Sequence, residues 1–222
     1  RYVRWSPDGS QLLGANNDEI IVWETSKWSR VTSMPIRFGR PVQAEWSHDG
    51  KRIAACYGSF DDPYLYIWDA KTGKRLRTIE AETGPFTSIS WNPDSSRLAV
   101  GSSDGQILIF DSDTRKLLFQ MKGHNRLISQ VSWSHNGKWL ASTSHDGSTR
   151  LWDATTGKER GLLVSFLGGK EWLVLAPDGR FDGSEEGPRQ QLYRKVNTSD
   201  LIAPEKYLRK KTPGLLGQLL ER

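Results

Sequence analysis

Trp5, Trp46, Trp91 and Trp133 each open a short polar turn, in "WSPDG", "WSHDG", "WNPDS" and "WSHNG", and they stand 41, 45 and 42 residues apart. Leu175, 42 residues further on, holds the same place before "APDG". A second landmark keeps the same period: an aromatic residue followed by an acid, as Trp23-Glu24, Trp68-Asp69, Phe110-Asp111 and Trp152-Asp153. Seven of the ten tryptophans sit at these two landmarks, so the period accounts for most of the unusual tryptophan content. A repeat of forty-odd residues constrains the fold strongly, because each copy is one supersecondary unit that has to be covered by its neighbours.

The fourth copy shows what that unit is. "LISQVSWS" alternates apolar and polar residues as a half-buried strand does, and Asn136-Gly137 supplies residues that tolerate the positive φ of a hairpin turn. "WLASTS" reads as a second strand, His145-Asp146-Gly147 as a turn, "STRLWD" as a third strand, and "RGLLVSF" as a fourth after Thr156-Gly157-Lys158. Four antiparallel strands form a sheet too small to cover either face by itself. Stacking such sheets around an axis, as propeller blades, removes their apolar positions from water.

Within this copy Gly123-His124, Ser142, Asp146, Trp152 and Asp153 resemble the WD-repeat family pattern. The resemblance implies a buried hydrogen-bonded chain through His124, Ser142, Asp146 and Trp152. Such a chain is chemically sensible, since a carboxylate drawn into a sheet needs donors and an indole N–H only donates. A His, a Ser and an Asp also suggest a catalytic triad, but here they recur within a fold period with Trp as a fourth member, which favours the structural reading. Other copies depart from the pattern. Copy three has Phe110 for Trp and Glu82 for His, copy two has Arg37 for His with Asp62 and Trp68 kept, and copy one has Asn17 before Trp23. Only the fourth copy is expected to carry the complete chain.

The expected architecture is all-β: a β-propeller of WD-repeat blades, about four plus an incomplete fifth, with a short helical C-terminal tail. The blades fall at about 1–40, 41–82, 83–122 and 123–167, with a partial copy at 168–187. Four and a fraction leave two unpaired faces, which suggests the C-terminal part of a larger propeller or half of an assembled one, a complete four-bladed ring being rarer. Past residue 187 a basic tail or linker runs to 222. Thr212 is placed to cap a helix, Pro213 to open it, and Leu215, Leu216, Leu219 and Leu220 form one apolar stripe suited to docking on a further domain. "EWLVLAPDGRFDGSEEG" followed by "TPGLLGQLLE" is similar to the end of the WD-repeat region in large bacterial multidomain proteins, some with a caspase-like peptidase domain. None of that peptidase's own motifs occurs here.

Formal charge is +5, and from Pro188 onward eight basic residues against three acidic ones account for all of it. The repeats are therefore balanced, and charge gives no support to a nucleic-acid face on the blades. The cluster in "KYLRKK", residues 206 to 211, lacks the aromatic ladder of a single-strand binder and reads as a solvated helix face. No apolar run approaches a membrane span. Residue 1 is Arg, so the lack of a visible signal peptide says little. The lone Cys56 excludes an internal disulfide, fits the cytoplasm, and reads as a small buried strand residue. His48, His124, His135 and His145 lie at turns of different copies without ligand spacing, so no metal or cofactor is expected.

These features point away from an enzyme and toward a scaffold or sensor that binds a protein or peptide, with missing blades or an adjacent domain as further partners. The WD-repeat resemblance places contact positions six and four residues before each strand-one Trp. They are Arg40 and Val42, Pro85 and Thr87, Leu127 and Ser129, with Gly169 and Glu171 in the broken fifth copy. The alternative is a regulatory propeller coupled to an attached effector, a caspase-like peptidase or a signalling NTPase, through the tail from Tyr193 onward.

Overall fold

The computed structural model describes residues 3–16, 19–35, 41–57, 64–80, 83–166, 171–184 and 211–221. They form eighteen strands and one short helix, in two compact units, Arg1–Asp146 and Gly147–Arg222.

The first unit contains three four-stranded antiparallel meanders. The first is β1 (Val3–Trp5), β2 (Gln11–Ala15), β3 (Glu19–Glu24) and β4 (Ser29–Pro35). The second is β5 (Pro41–Trp46), β6 (Arg52–Tyr57), β7 (Tyr64–Asp69) and β8 (Arg75–Glu80). The third is β9 (Phe86–Trp91), β10 (Arg97–Ser102), β11 (Ile107–Asp111) and β12 (Leu117–Met121). A hairpin of β13 (Ile128–Trp133) and β14 (Trp139–Ser144) completes the unit. The landmark tryptophans close the first strand of each sheet, and the turn that follows is built alike every time. In it the N–H of Gly9, Gly50, Ser95 or Gly137 donates to the carbonyl three residues earlier, at 2.9 Å in each case. Ser95 keeps this turn at φ 63, a left-handed conformation that glycine holds in the other copies.

Why both faces of a sheet are apolar is clearest in β6. Ile53 through Tyr57 are all buried, yet adjacent residues point to opposite faces. Ile53, Ala55 and Tyr57 pack with Leu13, Ile20, Val22 and Met34 of the first sheet. Ala54 and Cys56 pack with Ile89, Trp91, Leu98 and Val100 of the third. Each middle sheet is thus a layer between two others, and its central strands lose the alternation that a half-exposed strand shows. Gly101 marks how closely β10 meets the next hairpin: a Cβ there would lie 2.5 Å from Cγ2 of Ile128. The first sheet differs, since Val3 and Trp5 are exposed on the face that in the second sheet is covered.

The second unit holds β15 (Ser148–Asp153), β16 (Glu159–Phe166), β17 (Glu171–Leu175), β18 (Phe181–Gly183) and α1 (Leu215–Leu220). The incomplete fifth copy takes the form of β17 and β18. β17 pairs antiparallel with β16, so it extends an existing sheet and does not open a separate one. The landmark turn survives there, with Gly179 N–H donating to the Ala176 carbonyl at 3.0 Å.

The tail departs from its expected geometry. Thr212 does not cap the helix: its N–H donates to the Phe181 carbonyl at 2.7 Å, running along β18, and Pro213 precedes the helix instead of opening it. The residue before α1 is Gly214, at φ 72, and its N–H donates to Asp182 Oδ2 at 2.7 Å. A carboxylate from a strand thirty-two residues away therefore takes the place of a local cap. Leu215 and Leu219 are buried against Val174, Ala176 and Leu163, whereas Leu216 and Leu220 remain exposed, so the leucine stripe is half used within its own unit. Of the helix face expected at residues 206–211, only Lys211 is among the described residues, and it forms a parallel bridge with Phe181 instead of a helical turn.

Candidate functional site

His124 is the centre of the best-defined polar group. Its Nδ1 lies 2.8 Å from Asp146 Oδ2 and its Nε2 lies 2.8 Å from Ser142 Oγ. A carboxylate only accepts, so Nδ1–H donates to Asp146, and in the neutral ring Nε2 accepts the Ser142 hydroxyl proton. Asp146 Oδ2 also receives the Asn125 N–H at 3.4 Å, while the Ser144 hydroxyl donates to the Arg126 carbonyl at 3.0 Å. Together these bonds tie the segment before β13 to the turn after β14. His124 and Ser142 are buried, with Ser142 only 1% exposed, so its oxygen is out of reach of a substrate carbonyl. Trp152 is buried in β15 of the second unit.

The third copy uses its turn acid otherwise. Asp104 accepts from the Ser102 hydroxyl, from Gln106 Nε2 at 2.6 Å and from the Gly84 N–H at 3.3 Å. Arg37, Asp62, Glu82 and Asn17 lie outside the described residues.

Among the expected contact positions, Val42 is 45% exposed and Ser129 is exposed, Leu127 and Glu171 are partly buried, and Arg40 and Gly169 lie outside the described residues. Pro85 is buried. Thr87 is committed to the fold, its hydroxyl donating to the Ile128 carbonyl at 2.6 Å. Cys56 is fully buried and burial pushes its thiol up to about 12, which leaves no thiolate for chemistry near neutrality. Among the described residues no group of three or more His, Cys, Asp or Glu gathers around a common centre, and no helix is long and apolar enough to cross a membrane.

Two features that sequence reasoning passed over join the sheets. Arg52 reaches from β6 to the third sheet, donating to the Ser95 carbonyl at 2.6 Å, to Ser112 Oγ at 2.9 Å and to Asp113 Oδ1 at 2.9 Å, with its guanidinium 5.0 Å from the centroid of Trp91. Gln43 and Glu45 of β5 also face that sheet: the Ile89 N–H donates to Gln43 Oε1 at 3.1 Å and Trp91 Nε1 to the Glu45 carbonyl at 3.3 Å.

Burial pushes the Glu45 carboxyl up to about 7, against the opposing pull of Arg4 and the hydrogen bond from Gln43. Between about pH 4.5 and 7 the folded chain then binds a proton that the unfolded chain has released. Stability from this group is full below the lower value and falls as pH rises through the upper one, by up to roughly 3 kcal/mol. Glu45→Gln is expected to remove that decline from urea-unfolding curves recorded between pH 5 and 8. The turn acids Asp8, Asp49, Asp94 and Asp111 are held low by their hydrogen bonds and act in the opposite direction, losing stability only as pH falls below the ordinary carboxylate range.

Repeated four-stranded sheets apolar on both faces, a turn that recurs at the repeat period, and a buried His–Ser–Asp chain in the fourth copy define a WD-repeat β-propeller protein. The family model described as WDR19 first beta-propeller matches residues 1–161, and the chain belongs to that family. It is 46% identical over 48 residues to "Cell division cycle 20.1, cofactor of APC complex" of Arabidopsis thaliana, covering 21% of this chain and 10% of the relative. It is 25% identical over 107 residues to "WD repeat-containing protein WDS homolog" of the same plant, covering 44% and 19%. It is also 26% identical over 119 residues to "Protein HIR1" of Cryptococcus neoformans var. neoformans serotype D (strain JEC21 / ATCC MYA-565), covering 46% and 13%. The chain therefore spans between 10% and 19% of the length of these relatives.

Proposed function

We propose that the chain is a non-catalytic interaction scaffold, a propeller segment whose stacked sheets hold loops rigid for a protein or peptide partner. The observation that carries this reading is the double-faced burial of β6 and β10. Sheets fixed on both sides leave turns and strand ends as the surfaces free to vary and bind. The relative whose name calls it a cofactor of the APC complex supports a role played through association. The exposed Val3 and Trp5, on a face that the second sheet buries, support a further blade stacked against β1–β4. A cytoplasmic setting and a bacterial multidomain context belong to the same proposal. So does coupling to an effector through Leu216 and Leu220, which α1 leaves exposed.

The test uses the two exposed contact positions. Val42→Asp combined with Ser129→Asp is expected to abolish capture of the cross-linked partner from the native host while leaving the unfolding free energy within about 0.5 kcal/mol of wild type. Capture unchanged by the pair would reject this surface.

A further inference from the structure

The two seams between the first three sheets are lined by repeat-equivalent positions, with the tryptophan kept in both and the arginine present in only one. Gln11, Arg52 and Arg97 open the second strand of copies one, two and three, opposite Glu24, Asp69 and Asp111. At the seam between the second and third sheets the Arg52 guanidinium lies over Trp91 and bonds to the Ser95 carbonyl, Ser112 and Asp113. Counting along the repeat, the same places at the seam between the first and second sheets belong to Gln11, Trp46, Gly50, Ala70 and Lys71. All five line a cleft of about 480 Å³. The shorter Gln11 does not supply the group that Arg52 supplies next door.

We propose that this cleft receives an arginine side chain from a protein or peptide partner, stacked on Trp46 and bonded to the Gly50 carbonyl as Arg52 is to Trp91 and Ser95. The chain itself thus displays the stacking and the carbonyl bond one seam away, while Ala70 has no counterpart of the Ser112 hydroxyl. Charge agrees with this occupant, because Asp8 and Asp49 also line the cleft against a single lysine, alongside His48. Hydrogen bonds from the Ser6 hydroxyl and from Ser10 hold Asp8 ionised, down to about 2. A planar cation over an indole face gains from the ring's quadrupole, and a guanidinium offers several donors in one plane where an ammonium offers a point charge. Lys71 stands where Asp113 closes the ion pair in the neighbouring seam, so it weakens the site and sets its affinity below that of an internal arginine.

This inference deepens the scaffold reading and rests on it, while using residues separate from Val42 and Ser129. The experiment measures fluorescence anisotropy of a labelled Gly-Gly-Arg-Gly-Gly peptide with the full chain, against the same peptide carrying citrulline, the neutral counterpart of arginine. The arginine peptide is expected to bind at least about tenfold more tightly than the citrulline peptide. Gln11→Arg, which fills the cleft from within, is expected to abolish binding while its denaturation midpoint stays at or above that of wild type. Lys71→Asp, at an exposed position that leaves folding untouched, is expected to tighten binding by about three- to tenfold. Equal affinity for the two peptides, or weaker binding by Lys71→Asp, would overturn the proposal, as would binding by a folded Gln11→Arg chain. Val42→Asp with Ser129→Asp is expected to bind the arginine peptide as wild type does, so failure of the contact surface and failure of the cleft are told apart.

Discussion

Trp91→Ala is expected to destabilise the chain by about 3–5 kcal/mol, read as a lowered urea midpoint. Trp91 is only 1% exposed and belongs to the apolar cluster shared by the second and third sheets. Its loss removes the indole from that cluster, leaves the Glu45 carbonyl without its Nε1 donor, and takes away the ring beneath the Arg52 guanidinium. Trp91→Phe keeps most of the volume and forfeits the N–H, so its loss is expected to be well below that of Ala. Trp5 occupies the same place in its own copy and is 59% exposed. Trp5→Ala is therefore expected to change stability by no more than about 0.5 kcal/mol. The contrast separates packing from motif: an identical landmark matters only where a neighbouring sheet covers it.

Asp146→Ala is expected to cost about 2–4 kcal/mol, because it strands a buried His124 Nδ1–H that has a carboxylate 2.8 Å away in the native chain. Asp146→Asn keeps an acceptor oxygen on the same stem and is expected to lose less, about 1 kcal/mol. Ser142→Ala removes the hydroxyl from the other side of the ring and should fall between the two. Chemical denaturation of the three variants checks the order. A loss for Asp146→Ala no greater than for Asp146→Asn would show that a neutral acceptor oxygen at this position does not by itself serve His124, and losses near zero for both would show that the carboxylate contributes nothing.

Much of the fold was legible because the repeat writes both landmarks into each copy. "WLASTS" and "STRLWD" are β14 and β15 to the residue, and "RGLLVSF" lies within β16. Alternation and turn chemistry are local, so local sequence carries them. What was not legible depends on which element comes to lie alongside. Leu175 keeps the register of a first strand, but pairing with β16 is chosen by Leu162, Leu163 and Val164 across the ladder. Nothing near Thr212 announces that Asp182 will hold the helix start. An arginine at the head of a strand, such as Arg52, reads as solvated until the third sheet supplies Trp91, Ser95 and Ser112 around it. The burial of Pro85 and the bond from Thr87 to the Ile128 carbonyl were hidden for the same reason, since counting back from a tryptophan fixes a loop position but not its surroundings.

Within the first unit, sheets that hold one another face to face are the basis of both stability and the proposed binding. A double-mutant cycle between Arg52 on the second sheet and Trp91 on the third measures that directly, using Arg52→Ala, Trp91→Ala and the double variant in urea unfolding. The two losses are expected to be coupled by about 0.5–2 kcal/mol, the double variant losing less than the sum of the singles. Losses that add to within about 0.3 kcal/mol would show that the two residues do not meet across a seam, and would contradict the stacked arrangement.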